Sequence, residues 1–142
     1  MIIWITGQPA SGKTTLALNL RDYFSHTSCR IVDGDTFRKL TDNNDYSPSG
    51  RRRNIERIMT NILVDENQYD YTIVSVVSPF RDQRDWIKTK TNVKEIYLKS
   101  NREREGKMVD YYSPPVENYL LIDTNNNSVT ETLDTAVKYI LS

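Results

Sequence analysis

Residues Gly7 to Thr14 read GQPASGKT, a full match to G-x-x-x-x-G-K-[ST], and they follow directly on the apolar run Ile2, Ile3, Trp4, Ile5. These residue types at this spacing serve phosphate chemistry. Gly7 and Gly12 let the backbone turn tightly and aim several N–H groups at one anion, with Pro9, Ala10 and Ser11 completing the loop. Lys13 reaches the outer phosphates, and the Thr14 hydroxyl is a ligand for Mg²⁺. From Thr15 to Ser25 the residues Leu16, Ala17, Leu20 and Phe24 recur at helical spacing, so the anion also lies at a helix N-terminus. The alternative, a chance glycine turn, does not account for the strand before it and the helix after it. ATP with Mg²⁺ is the expected ligand.

A second set of candidates follows a second apolar run. In VDGDTFRKL, Asp33 and Asp35 fall at the C-terminal end of Ile31–Val32, the edge where open α/β sheets bind ligands. One carboxylate suits the removal of a proton from an acceptor hydroxyl, and the other suits Mg²⁺ held through water. A bland reading competes: Asp35 caps the next helix and Gly34 supplies the turn. Arg38, three residues past Asp35, shares its helical face and suits an anionic acceptor. Arg51, Arg52 and Arg53 open a further helix and oppose its dipole there, a cost that a bound anion would offset. Ser78, Pro79, Arg81 and Arg84 follow the third apolar run, and guanidinium groups grip phosphate or sulfate with paired N–H bonds.

The elements that must position these groups are short. Apolar runs at Ile2–Ile5, Ile31–Val32, Ile73–Val77, Ile96–Leu98 and Leu120–Ile122 alternate with helical segments, which predicts an α/β chain with a five-stranded parallel sheet flanked by helices. Arg51 to Asn67 carries Ile55, Ile58, Met59, Ile62 and Leu63 on one stripe. The last helix starts at Ser128 with Glu131 as a capping box and shows Val129, Leu133, Val137, Ile140 and Leu141 at helical spacing. At 142 residues the chain is expected to form one domain, so any acceptor site must be built on the same sheet. Nineteen basic residues balance nineteen acidic ones, so no global field draws the chain to nucleic acid or a membrane. A lone Cys29 excludes an intramolecular disulfide, and with no long apolar leader the expectation is a cytoplasmic protein without a signal peptide or membrane span. His26 reads as a surface residue at a helix end.

Taken together, the motifs resemble the adenylylsulfate kinases, which use ATP to phosphorylate the ribose 3′-hydroxyl of adenosine 5′-phosphosulfate (APS). GQPASGKTT is similar to the family phosphate loop, VDGDTFR to D-G-D-x-x-R, YSPSGRRRNIERI to F-S-x-x-D-R-x-x-N-I-R-R-I, VSPFRDQRD to I-S-P-Y-R-x-x-R-D, and YSPPVENYLLIDT to Y-E-P-P-x-x-P-x-L-x-L-D-T. The resemblance implies a three-layer P-loop kinase fold. It implies ATP contacts at Gly7 and from Pro9 to Thr15, with Thr14 on Mg²⁺ and Asp35 on the metal through water. Asp35 is then the base on the acceptor hydroxyl, with Lys13 and Ser78 beside it in the catalytic set. Asp33, Arg38, Tyr46, Arg51, Asn54, Ser78, Pro79, Phe80 and Arg81 form the implied acceptor set, Tyr46 either stacking on the acceptor base or sitting as a partly buried loop tyrosine. A lid spans about 101–115, where Arg102 and Arg104 face ATP and Lys107 the acceptor; it is shorter than the family's and lacks its second aromatic element. Gly50 replaces an acidic residue of the pattern, and Glu56 a basic one. The implied partners are a small anionic nucleotide and a second copy in a homodimer.

Two other readings stay open at this point. A trimmed lid leaves room for a hydroxyl on a larger polymer, such as a nucleic-acid end or a hydroxymethylated base, with the arginines on its backbone. A non-catalytic nucleotide-dependent switch would need the phosphate loop but no acceptor pocket.

Overall fold

Strand β1 (Ile2–Thr6) has no polar side chain before its last residue, and its alternation splits it between two cores: Ile3 and Ile5 point to one, Ile2 and Trp4 to the other. A strand buried on both faces belongs at the centre of a parallel sheet covered by helices on each side. The computed structural model, which describes residues 1–101 and 108–142, has that architecture. Five parallel strands run in the order β2-β3-β1-β4-β5, with β2 at Cys29–Asp33, β3 at Tyr71–Ser75, β4 at Val93–Lys99 and β5 at Tyr119–Asp123.

Helices α1 (Lys13–Tyr23) and, near the chain end, α5 (Val129–Leu141) cover one face through Leu16, Ala17, Leu20, Ala136, Val137 and Ile140. After β2 come α2 (Gly34–Leu40) and α3 (Pro48–Val64), and after β3 comes α4 (Arg81–Lys90). The second face is closed by Ile55, Ile58, Met59 and Ile62 of α3 and Ile87 of α4. The consequence for function is local. The chain leaves β1 toward the α1 layer and leaves the neighbouring β3 toward the α4 layer, so a crevice opens between their carboxyl ends.

All five expected strands are present, and the differences are at boundaries. The first helix starts two residues earlier than its apolar periodicity suggests, because the loop lysine already has helical geometry. The expected 51–67 helix starts at Pro48, capped by Ser47, whose hydroxyl accepts from the Gly50 amide at 3.2 Å. It stops at Val64, and a single 3-10 turn, Glu66–Gln68, completes the segment. In α5 the buried stripe is Thr132, Ala136, Val137 and Ile140, whereas Val129 and Leu141 of the expected stripe are exposed. His26 is exposed in the turn after α1, as expected. Among the described residues no helix is long and apolar enough to cross a membrane.

The capping box read from the sequence is formed: Glu131 N–H donates to the Ser128 hydroxyl at 3.0 Å and Ser128 N–H to the Glu131 carboxylate at 2.9 Å. These bonds hold the Glu131 carboxyl below its ordinary value of 4.5. Its contribution is therefore full at neutral pH and is lost as pH falls through the lowered folded value. Ser128→Ala is expected to cost about 1 kcal/mol in urea denaturation at pH 7, with a smaller difference from wild type in acid.

Candidate active site

The loop from Gly7 to Gly12 is shaped by close approaches. A Cβ on Gly7 would sit 2.5 Å from the Leu98 carbonyl, so the loop fits over β4 only without a side chain there. Ala10 at φ 65 and Gly12 at φ 100 adopt left-handed conformations that turn the chain into α1. Gly12 gives that helix no side-chain cap, and no acidic residue lies in its first turn. The first amides of α1 and the positive end of its dipole therefore face the crevice, which is the requirement for anion binding. Lys13 Nζ lies over the loop, donating to the Gln8 carbonyl at 2.8 Å. Thr14 and Thr15 are exposed at the same mouth.

Across the crevice, Asp33 and Asp35 have separate duties. The N-cap of α2 is Asp33, whose Oδ1 accepts from the Asp35 and Thr36 amides at 3.0 and 3.1 Å. The capping role considered for Asp35 thus falls to Asp33, and the exposed Asp35 carboxylate is left facing the cleft. Gly34 permits this turn because a Cβ there would meet Val76 at 2.6 Å.

Arg38 is buried. Its guanidinium donates to Asn43 Oδ1 at 3.2 Å and to the Asp45 carbonyl at 2.9 Å, and burial pulls its pKa down from the ordinary value. The Tyr46 ring lies 4.1 Å from the Arg38 guanidinium and 5.5 Å from that of Arg51, whose Nε also donates to the Tyr46 carbonyl at 3.2 Å. Tyr46 is 55% exposed, and its ring is stacked on arginines at the cleft wall.

Three buried atoms of residues lining the cleft have no hydrogen-bond partner among the described residues: Asn54 Oδ1, Ser75 Oγ and Ser78 Oγ. Unsatisfied buried polar atoms are costly and rare. Ser78 also holds a left-handed φ of 48, which is strained for a residue with a side chain.

One cleft of about 980 Å³ joins these groups: Pro9, Ala10, Gly12, Lys13, Thr14 and Thr15 on one side, and Asp33, Asp35, Arg38, Tyr46, Arg51, Asn54, Ser78 and Pro79 on the other. Ser75 and Val76, which motif reading missed, also line it, as do Met108 to Tyr111 of the expected lid segment. A smaller slot of about 70 Å³ adjoins the loop at Gly12, walled by Asn19, Thr124, Asn127 and Val129. Its signal was the D-T pair ending β5: Thr124 Oγ1 donates to the Ser11 carbonyl at 3.1 Å.

Several expected cations do not face the cleft. Arg52 pairs with Asp82 at 2.9 Å and stacks over Phe80 at 3.9 Å, so one arginine of the α3 cluster is compensated without an added anion; the cluster also lies a turn further into the helix than expected. Arg81 Nε donates to the Pro114 carbonyl at 2.7 Å, and Phe80 stacks on Tyr111 with ring centroids 5.6 Å apart; neither residue is among those lining the cleft. Arg84 is fully buried, bonded to Glu95 at 2.8 Å and to the Ser78 and Ser113 carbonyls, with Lys88 also paired to Glu95. Arg102, Arg104 and Lys107 lie outside the described residues.

Among the described residues there is no cluster of three His, Cys, Asp or Glu side chains fit to hold a metal. The donors at hand, the Thr14 hydroxyl and the Asp35 carboxylate, are hard oxygens on opposite sides of one cleft. So few protein oxygens suit Mg²⁺, which takes its remaining ligands from water and phosphate, and do not suit an ion held by protein alone.

Sheet order, glycine-rich loop and facing helix N-terminus define a P-loop nucleotide-binding fold of the kinase class. The family model described as Adenylylsulphate kinase matches residues 1–108, and the chain belongs to that family. Similar proteins include the adenylyl-sulfate kinase of Oceanobacillus iheyensis, 29% identical over 98% of this chain and 83% of that one, and that of Staphylococcus carnosus, 28% identical over 99% and 83%. The fold is also that of the Mycobacterium tuberculosis APS kinase solved with AMPPNP and APS, with a TM-score of 0.79, 18% identity and coverage of 99% of this chain and 97% of that one.

Removing the Arg84 guanidinium would leave the buried Glu95 carboxylate to Lys88 alone and strand two carbonyls. Arg84→Met is expected to lose about 3 to 5 kcal/mol in urea denaturation, the cost of breaking a buried pair on one side; a loss below about 1 kcal/mol would show that the pair carries no weight.

Proposed function

We propose that this protein is an ATP-dependent adenylylsulfate kinase, transferring the γ-phosphoryl group of ATP to the 3′-hydroxyl of APS. The observation that carries the reading is the cleft in which an uncapped helix N-terminus with Lys13 faces Asp35, Arg51 and three polar atoms without partners among the described residues. Family membership supplies the substrate class.

In this reading the loop amides and Lys13 hold the β- and γ-phosphates, and Thr14 and Asp35 would hold a Mg²⁺ ion that would further neutralise phosphate charge. Arg51 and Arg38 hold the sulfate and phosphate of the acceptor. Asn54 Oδ1 and Ser78 Oγ meet polar groups of its nucleoside, which would relieve their unsatisfied state. Asp35 accepts the proton of the 3′-hydroxyl as its oxygen bonds to the γ-phosphorus and the bridging oxygen leaves with ADP. Catalysis is then mainly positioning and charge stabilisation, with little covalent chemistry for the protein to perform. Arg52 and Arg84 are spent on internal pairs and are not offered to a polymer backbone, which weighs against a nucleic-acid acceptor.

The test is incubation with labelled ATP, Mg²⁺ and a panel of APS, nucleosides, nucleotides and hydroxymethylated DNA, followed by identification of the product. The expected product is 3′-phosphoadenylylsulfate, and label appearing only on another acceptor, or only in inorganic phosphate, would contradict the proposal. Lys13→Ala is expected to lower turnover more than about a thousandfold, the scale of losing a main charge-stabilising contact.

A further inference from the structure

The two residues flanking Gly7 both reach the segment 108–112. Gln8 spends its whole side-chain amide on one residue: Nε2 donates to the Val109 carbonyl and Oε1 accepts from the Val109 amide, each at 2.9 Å. The Thr6 hydroxyl donates to the Val77 carbonyl at 2.6 Å, so its 2.8 Å contact with Tyr112 must be donated by the Tyr112 phenol. That phenol is buried, which raises its pKa well above the ordinary value, and its ring stacks on Tyr97 at 5.6 Å. Val109 is itself buried.

Met108 to Tyr111 wall the cleft beside Ser78 and Pro79, and the wall is bonded to that side through the Ser113 amide and the Pro79 carbonyl at 2.8 Å. Gln8 therefore touches both halves of the site. Its main-chain carbonyl accepts from Lys13 Nζ at 2.8 Å, while its side chain holds Val109. The phosphate-loop pattern leaves this second position free, so neither the turn nor the phosphate amides require an amide side chain here.

We infer that Gln8 is a positioning residue that couples the nucleotide half of the cleft to the acceptor half, by fixing the 108–112 wall in register with the phosphate loop. The inference rests on the kinase reading above. A phosphate that draws Lys13 off the Gln8 carbonyl changes the peptide whose side chain carries Val109, and a wall pressed by acceptor acts back on the same peptide. Such coupling is reciprocal: each ligand changes the affinity of the other by the same factor.

The experiment is calorimetric titration of magnesium AMPPNP into wild type and Gln8→Leu, with and without saturating APS. Leucine keeps most of the side-chain volume and neither hydrogen bond. Acceptor is expected to change wild-type nucleotide affinity about tenfold and the variant's less than about twofold, while nucleotide affinity without acceptor stays within about threefold of wild type. Equal coupling in both proteins overturns the inference. So does a uniform loss of nucleotide affinity with coupling intact, the signature of a purely structural residue. If the leucine variant does not fold, Tyr112→Phe replaces it: it keeps the ring on Tyr97, removes the second tie, and is expected to reduce the coupling at least about threefold, unchanged coupling again overturning the inference.

Hydrogen exchange at the Val109 amide reads the wall without any acceptor. Nucleotide is expected to slow it in wild type and to leave it unchanged in Gln8→Leu. A wild type that binds nucleotide with no response at Val109 overturns the coupling and leaves the proposed reaction standing. A wild type that shows the response but phosphorylates no APS removes the substrate assignment and leaves the coupling.

Discussion

Because β1 and β3 are each buried on both faces, the segments that leave their carboxyl ends depart into opposite helical layers, and the gap between those departures is where the candidate site lies. The phosphate loop leaves β1 on one side, Ser78 and Pro79 follow β3 on the other, and the end of β2 brings Asp33 and Asp35 alongside. The order β2-β3-β1 thus fixes which residues share the cleft before any side chain is chosen.

Charge is then sorted by burial. At the cleft, Arg38 and Arg51 are held in place by backbone carbonyls and the Tyr46 ring, and Lys13 lies over the loop on the Gln8 carbonyl. Those facing inward or outward, Arg84 and Arg52, meet carboxylates. The result is a cleft that gathers cations beside an uncapped helix N-terminus of the same sign. That concentration of charge is unfavourable in itself and suits ligands with several negative charges.

Much of this was legible in the sequence, for physical reasons that differ by element. The strands were readable because parallel strands are continuous apolar runs, and α5 because its capping box is local. The glycine loop was readable because each glycine meets a steric demand. What failed was the assignment of partners. That Arg52 and Arg84 pair with Asp82 and Glu95 depends on crossovers no local pattern encodes, and so do the turning of Arg81 to Pro114 and the meeting of Gln8 with Val109. The division of labour between Asp33 and Asp35 turned on which of two adjacent turns starts the helix, a boundary that periodicity cannot fix to one residue. Gly50 was noted as a departure from the family pattern, and the fold supplies the cause: a side chain there would run into Asp45, whose loop holds Arg38 and Tyr46.

The central claim is that donor and acceptor meet across this one cleft, so that the phosphoryl group passes between them in a single in-line step. The stereochemical course at phosphorus tests it most directly, using ATP made chiral at the γ-phosphorus with oxygen isotopes and the configuration of the product read by NMR. The account predicts inversion, the outcome of one direct displacement. Retention would contradict it, since two displacements would mean that the group first rests on the protein.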